Sequence, residues 1–297
     1  MDEFSLIEEV VKQLGDRAKG KWVDLGPGDD AAVIAQTPGC DAVASIDTLV
    51  GGVHFPVAAN PVDIGYRAMM VSLSDLAAMA AEPRYALVAL TLPAGDAQWA
   101  GALARGMAEA AAECQTYVCG GNFSKGALSI TVSVHGEVPS GKAVTRAGAC
   151  VGDKIYVSGD IGGAAACVRR QDWDFAPPLN PGQMRYLRPR ARFDLCQRLR
   201  QSAHAAIDVS DGLVADLGHI CARSGVGALL EQAAIPVSPG AGLEDALYGG
   251  DDYQILCTAN VDLPGFNCIG EIVADGGMWM AGVKLEPRGY NHFGAAS

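Results

Sequence analysis

The chain predicts a two-domain α/β fold with α+β character, on three observations. Strand-like runs with period-two alternation interleave with helix-like runs rich in small residues. The length of 297 residues suits one large or two medium domains. Between Pro139 and Gly152 the sequence carries Pro, Gly, Lys and Arg with no apolar period, and this sets a boundary between a domain over 1–140 and another over 148–297.

The elements follow in order. Phe4, Leu6, Ile7, Val10, Val11 and Leu14 fall on one side of a helix over 1–14. A turn at Gly26 to Gly28 leads to strands over Ala31–Ala35 and Asp41–Asp47, the second alternating Ala42, Ala44, Ile46 against Val43, Ser45, Asp47. A small-residue helix over 62–81 stops at Glu82-Pro83, because proline drives the preceding residue out of helical geometry. A buried strand, Tyr85–Leu92, closes at Pro93, an Ala-rich helix spans 96–115, and Leu128–Val138 alternates strictly as a strand. The second domain opens with strand Lys154–Ser158 and a GDIGG turn into a helix over 162–170. Residues 171–184 read as an exposed Pro-rich loop, and a helix over 190–201 follows. Strand Ala205–Val209 runs directly into a helix over 211–223, stopped at Ser224-Gly225. Short strands are expected at Ala228–Glu231, Tyr253–Thr258 and Asn267–Ile272.

Composition excludes several function classes. A net charge of −12 lacks the basic footprint that nucleic acid or an anionic membrane surface requires. No stretch reaches the ~18 uninterrupted apolar residues of a membrane span. The start, MDEFSLIEEVVKQL, reads as an acidic amphipathic helix and not as a signal peptide. Nine cysteines, an odd number without paired CxxC spacing, read as reduced thiols, so a cytoplasmic location is expected.

Five acidic clusters stand among apolar residues: GPGDDAAV, SIDTLVGGVHF, VSLSDLAAM, AIDVSDGLVADL and GGDDYQIL. Isolated buried carboxylates are costly, and divalent cations make several of them tolerable. Hard cations such as Mg²⁺ take oxygen ligands and bring phosphates with them. Asp29 and Asp30 leave a tight turn, where an ordinary acidic turn is the simpler account. Asp47 ends a strand before a Gly-rich loop. His54 is equally a ligand-binding group or a structural histidine beside Phe55. Asp75 lies inside a helix, three residues after Ser72, in surroundings too apolar for solvent exposure to be a comfortable explanation. Ser210 is a natural N-cap, and helix N-termini attract anions; capping explains Ser210 or Asp211 but not Asp208. GGNFSKG (120–126) reads as a Gly-rich loop able to approach a nucleotide, and it is not a Walker A sequence. Arg146 offers a planar fork to phosphate, or serves as a solvated linker charge.

In order along the chain, GPGDDAAV, DTLVGGVHF, DIGYRAMMVSLSDLAAMAAEPR, GGNFSKG, TRAGACVGD, AIDVSDGLVADLGHI and GGDDYQIL resemble the thiamine-monophosphate kinase family. That family shares a superfamily with aminoimidazole ribonucleotide synthetase, selenophosphate synthetase and a hydrogenase maturation protein. The resemblance runs from the first helix to the terminal GYNHF. It implies a homodimer whose N-terminal sheets pair into a barrel, and a sandwich-like α/β C-terminal domain. It implies ATP as co-substrate, several Mg²⁺ ions, and thiamine monophosphate phosphorylated directly to the diphosphate. By position, Asp30, Ser45, Asp47, Asp75, Asn122, Asp208 and Asp211 are the implied metal ligands. Gly121, Asn122, Arg146 and Ser210 are the implied ATP contacts, and His54, Asp251, Tyr290 and Phe293 the implied substrate contacts.

Some positions depart from the family pattern. Asn122 stands where the family has an aspartate, Gly51 where it has an acid, and Asp251 where it has a glutamate. Ile46 stands where a hydroxyl residue is common. These departures keep open a second reading, a paralogous ATP-dependent kinase or synthetase acting on another small metabolite. On either reading phosphoryl transfer needs positioning and charge neutralisation more than covalent help. An attacking phosphate oxygen is already anionic, so no dedicated base is expected.

Overall fold

The computed structural model describes residues 3–290, which divide into two compact units. The first runs to Leu76 and resumes over Ala81–Gly141, with Trp173–Pro177; the second takes Ala77–Ala80, Lys142–Asp172 and the chain from Pro178 onward.

The first unit holds helix α1 (Glu3–Leu14), a small ribbon of β1 (Val23–Leu25) and β2 (Val33–Ile34), and a four-stranded sheet. The sheet strands are β3 (Cys40–Val50), β4 (Glu82–Leu92), β5 (Tyr117–Lys125) and β6 (Ser129–Pro139), in the order β3-β6-β4-β5. β6 pairs antiparallel with β3 and with β4, while β4 and β5 are parallel. A parallel pair needs a crossover, and here the chain between them forms α3 (Ala97–Glu113). Strand alternation divides the sheet into two faces. Val43, Leu49, Ile130, Val132, Val134 and Val138 are buried on one, with α2 (Pro61–Ala78) reaching it through Asp75. The other carries Ile46, Thr48, Leu87, Thr131 and the stacked rings of Tyr85 and His135.

The small-residue character of α2 and α3 has a geometric cause. A Cβ on Gly65 would lie 2.0 Å from the Leu103 carbonyl oxygen, and one on Gly106 would lie 1.8 Å from that of Val62. The two helices therefore meet backbone to backbone, closer than any larger side chain permits.

The second unit is built on a seven-stranded sheet of β7 (Lys154–Val157), β8 (Ala205–Asp208), β9 (Gly227–Leu230), β10 (Ile255–Ala259), β11 (Asn267–Val273), β12 (Gly277–Met280) and β13 (Val283–Leu285). The order is β13-β12-β9-β11-β7-β10-β8, antiparallel except for β12 beside β9. Five helices accompany it: α4 (Gly163–Arg169), α5 (Pro181–Leu187), α6 (Cys196–Ser202), α7 (Leu213–Ser224) and α8 (Leu243–Tyr248). Ile155, Val157, Ile207 and Leu256 join one core with Leu213, Val214, Leu217 and Ile220 of α7. Tyr156, Ala206, Ile255 and Cys257, from the opposite face, join another with Leu195, Cys196 and Leu199 beside α6. Both faces are covered at β7, β8 and β10, so these three strands read as continuous apolar runs without alternation.

Several expectations need correction. The segment 120–125 belongs to β5 and is not a loop. Gly121 is required there because its Cβ would strike the Val88 carbonyl oxygen at 1.9 Å. Tyr85–Leu92 is part of a longer strand with one exposed side, since Leu87 and Ala89 are open. β3 continues to Val50, so Asp47 does not end it. The strand expected over Ala31–Ala35 shrinks to Val33–Ile34. The α6 helix begins at Cys196, after a single 3-10 turn over Phe193–Leu195, and not at 190, because Pro189 and its neighbours cannot enter it.

The Pro-rich stretch contains the start of α5. Asn180 caps that helix: its side chain accepts the Gln183 N–H at 3.0 Å, and the Gln183 side chain takes the Asn180 N–H at 2.9 Å. Asn180→Ala removes half of this reciprocal pair and is expected to lower stability by about 1 kcal/mol. Chemical denaturation with an unchanged slope checks it.

Candidate active site

Acidic and hydroxyl side chains gather at one place in each unit. In the first, Ser45 and Asp47 are two residues apart on β3 and therefore share a face. Their cross-strand partners are Val134 and Val132, so they point to the covered side. Asp75 projects from α2 and accepts a hydrogen bond from Ser45 Oγ at 2.5 Å. Asp47 is pushed up to about 6, first by burial and then by the Asp75 charge, while a hydrogen bond from Ser72 pulls the other way. Ser72 is fully buried, and its hydroxyl also reaches the Ala68 carbonyl at 3.1 Å. The donor set is oxygen only, two carboxylates and two hydroxyls, which is the chemistry a hard divalent cation takes.

The other predicted residues of this unit stand on separate elements, and the strand register sets Asn122 beside the exposed Ala89, on the face opposite to Ser45 and Asp47. Asp30 is exposed in the turn between β1 and β2, with its N–H held by the Asp29 carboxylate at 2.9 Å. Asn122 is exposed on β5 and donates to Ser124 Oγ at 3.1 Å, beside the exposed Gly121. His54 follows the end of β3, and its Nδ1 accepts the Val50 N–H at 3.0 Å. That bond leaves the ring neutral with its proton on Nε2, a donor suited to an anionic oxygen.

In the second unit the gathering point is the junction of β8 and α7. Asp208 is the last residue of β8 and is 3% exposed. Ser210 and Asp211 follow, but the helix cap is Gly212, so Ser210 is not the N-cap. The loop amides are already bonded to a side chain of this protein. Asp216 Oδ2 accepts the N–H groups of Ser210, Asp211 and Gly212, each at 3.1 Å. Burial raises Asp216 to about 7, with the Asp211 charge adding to it and the three N–H bonds opposing. Asp211, Asp216 and His219 bring ligand atoms within 4.8 Å of one another.

The GGDDY segment lies against this loop. Asp251 N–H bonds to the Ser210 carbonyl at 2.9 Å and Tyr253 N–H to that of Val209 at 2.8 Å. A Cβ on Gly250 would meet the Ser210 oxygen at 2.0 Å. Asp251 and Tyr253 adopt positive φ, 67° and 51°, and are tied by the Tyr253 hydroxyl on Asp251 Oδ1 at 2.8 Å. Left-handed non-glycine residues cost about 1 kcal/mol or more each and concentrate at functional sites. Tyr290 N–H bonds to the Asp211 carbonyl at 3.1 Å, which brings the end of the described chain to the same loop. Arg146 is exposed, and its carbonyl accepts from Ser224 Oγ at 3.3 Å. Phe293 lies outside the described residues.

Three members were missed by sequence reasoning. Ser72 was visible only as the residue one helical turn before Asp75. Asp216 stood inside a quoted motif, and its signal is an acid early in an otherwise apolar helix. Asp252 was passed over for its neighbour Asp251; it is 8% exposed and accepts the Gly162 N–H at 2.7 Å. Burial lifts it to about 7 despite that bond and the nearby Arg185.

The family profile described as AIR synthase related protein, N-terminal domain, matches residues 28–138, and the C-terminal domain profile matches residues 151–276. The thiamine-monophosphate kinase of Escherichia coli K12 is 37% identical, with 98% of each chain covered. This chain belongs to the thiamine-monophosphate kinase family. The family's Aquifex aeolicus member is 32% identical, covering 99% of this chain and 98% of its own. Among solved structures, the Stenotrophomonas maltophilia thiamine-monophosphate kinase superposes with a TM-score of 0.86 at 37% identity, covering 95% of this chain and 97% of that one. AaThiL complexed with AMPPCP and TMP gives a TM-score of 0.81 at 30% identity, covering 98% and 97%. The hydrogenase maturation protein HypE in complex with ATP, at 19% identity and a TM-score of 0.77, shares the fold.

Proposed function

We propose that this protein transfers the γ-phosphoryl group of ATP to the phosphate of thiamine monophosphate, giving thiamine diphosphate and ADP. Support comes from relatives of that name matched over nearly the full length, and from a relative solved with an ATP analogue and TMP. The observation that carries the reading is the meeting of Asp47 and Asp75, two carboxylates placed where each raises the cost of the other's charge.

Ser45, Asp47 and Asp75 are the proposed Mg²⁺ ligands of the first unit, with Asp30 and Asn122, and Asp208 and Asp211 are those of the second. When bound, the cations neutralise phosphate charge and polarise the transferred group. The chain does the positioning. Gly121, Asn122, Arg146 and Ser210 are assigned to ATP, and the Arg146 fork matches phosphate geometry. His54 is assigned to the substrate phosphate through its Nε2–H, and Asp251, Tyr290 and Phe293 to the thiamine rings. No side chain is needed as general base, because the attacking phosphate oxygen is already charged. Asp216 fixes the loop that carries Ser210 and Asp211 by holding its three amides.

The first unit is assigned to ATP, Mg²⁺ and dimerisation, the second to further metal and substrate contacts. The open face of the first sheet, where Ile46 is 63% and Leu87 37% exposed, is the surface assigned to pairing with a second copy as a barrel. A cytoplasmic location accords with nine unpaired cysteines. Among the described residues no helix is long and apolar enough to cross a membrane.

A coupled assay for thiamine diphosphate formation tests the function. Product is expected only with ATP, Mg²⁺ and thiamine monophosphate together. ATP consumption with other phosphorylated metabolites and none with thiamine monophosphate would replace this reading by a paralogous kinase.

A further inference from the structure

Away from the carboxylate sets, the turn before β7 meets the residue before β8. Cys150, Asp153 and His204 bring a thiol, a carboxylate and an imidazole within 4.8 Å of one another. Asp153 is 1% exposed. Its carboxylate is aimed by two partners: the Cys150 N–H at 2.8 Å and His204 Nδ1 at 2.9 Å. The backbone around it is equally fixed. Asp153 N–H closes the turn on the Cys150 carbonyl at 2.9 Å, Gly152 and Asp153 exchange bonds with Ile272, and His204 N–H holds the Thr258 carbonyl at 2.8 Å. Cys150 is exposed, and its thiol donates to the Gly148 carbonyl at 3.4 Å, a bond that ligation replaces.

We propose that Cys150 Sγ, Asp153 and His204 form a binding site for a borderline-soft divalent transition metal such as Zn²⁺, separate from the Mg²⁺ ligands of phosphoryl transfer. The donor types decide the class of ion. Mg²⁺ takes oxygen and rejects thiolate, whereas Zn²⁺ accepts sulfur, imidazole nitrogen and carboxylate together. A tetrahedral zinc with Zn–S of about 2.3 Å and Zn–N of about 2.0 Å holds its ligand atoms about 3.5 Å apart. A rotation of the exposed Cys150 side chain closes the remaining gap, with the buried Asp153 as the fixed post. Ligation releases the Cys150 thiol proton to solvent and exchanges the His204–Asp153 hydrogen bond for bonds to the ion, the imidazole ligating as the neutral tautomer whose proton sits on its other nitrogen. Three protein ligands leave a fourth position for water. The bound ion clamps the turn over Cys150–Asp153 to the start of β8.

The probe is Co²⁺, whose bond to thiolate gives a near-ultraviolet charge-transfer band, titrated into the full chain in excess Mg²⁺ so that oxygen-only sites are filled. One equivalent is expected to raise the band, and Zn²⁺ to displace it. Cys150→Ser and His204→Gln are each expected to remove the band and weaken Co²⁺ binding by about tenfold or more. Cys268→Ser, at the other exposed cysteine, is expected to leave both unchanged. Thermal unfolding of each variant without metal confirms that it is folded. Absence of the band in the unaltered protein, or its survival in either ligand variant, overturns the proposal.

Discussion

Asp75→Asn is expected to abolish Mg²⁺-dependent thiamine diphosphate formation while leaving the protein folded. The amide keeps the size of the carboxylate and an oxygen for Ser45 Oγ, which now bonds at 2.5 Å. It removes the charge that a cation would neutralise and the charge that helps raise Asp47 to about 6. Loss of one such electrostatic contact costs about 10²-fold or more in kcat. The same change relieves repulsion in the metal-free protein, so stability at neutral pH should hold or rise. Loss of activity without loss of stability is the signature of a ligand, because a structural aspartate at this position would lose both. The coupled assay over a Mg²⁺ series, with thermal unfolding beside it, reads both quantities. Near-normal turnover at low Mg²⁺ would remove Asp75 from the metal set.

Much of this arrangement was legible because its causes are local. Period-two alternation located β6, and the Ala-rich run located α3. The Asp75 cluster was readable because an acid amid Leu, Ala and Met has few cheap explanations. What escaped depends on distant partners. Gly121 looked like a loop glycine, but its necessity comes from the Val88 carbonyl across the β4–β5 pairing, and strand partners are not written in a window of sequence. Ser210 looked like a cap by residue type. The loop instead gives its amides to Asp216, six residues on, which leaves Gly212 to start the helix. Asp251 and Asp252 are adjacent and chemically identical in sequence. Only the fold distinguishes them, turning Asp251 to Tyr253 and burying Asp252 on the Gly162 amide.

Without Mg²⁺, stability is expected to fall as pH rises from about 4 to about 7, and saturating Mg²⁺ to reverse that trend. Asp47 sits at about 6 and Asp216 and Asp252 at about 7 in the folded protein, each raised first by burial. In the unfolded chain such carboxyls titrate near 3.9. Between those values the folded state holds more protons than the unfolded state, so stability drops with rising pH. For Asp47 the upper limit of the loss is about 3 kcal/mol, at about 1.4 kcal/mol per pKa unit. His135, lowered by burial, opposes the three carboxyls within the window, one group against three. Asp245 also has the opposite sign, since the Arg169 bond holds it below the usual carboxylate range. Its contribution is present above the unfolded value and disappears only as pH falls through the lower folded one, which lies outside the window. A cation binds only the ionised form of its ligands, so its stabilisation grows as pH rises and Asp47 loses its proton. Below about pH 6, apparent Mg²⁺ affinity should therefore weaken, by up to about tenfold per pH unit for one competing proton. Asp252 is assigned no metal, so Asp252→Asn should flatten the metal-free slope and leave the pH dependence of Mg²⁺ stabilisation in place. Unfolding midpoints across this window, with and without Mg²⁺, test both parts. Metal-free stability that climbs through the window would show that burial does not hold these carboxyls protonated, and a Mg²⁺ increment that ignores pH would remove Asp47 from the cation's ligands.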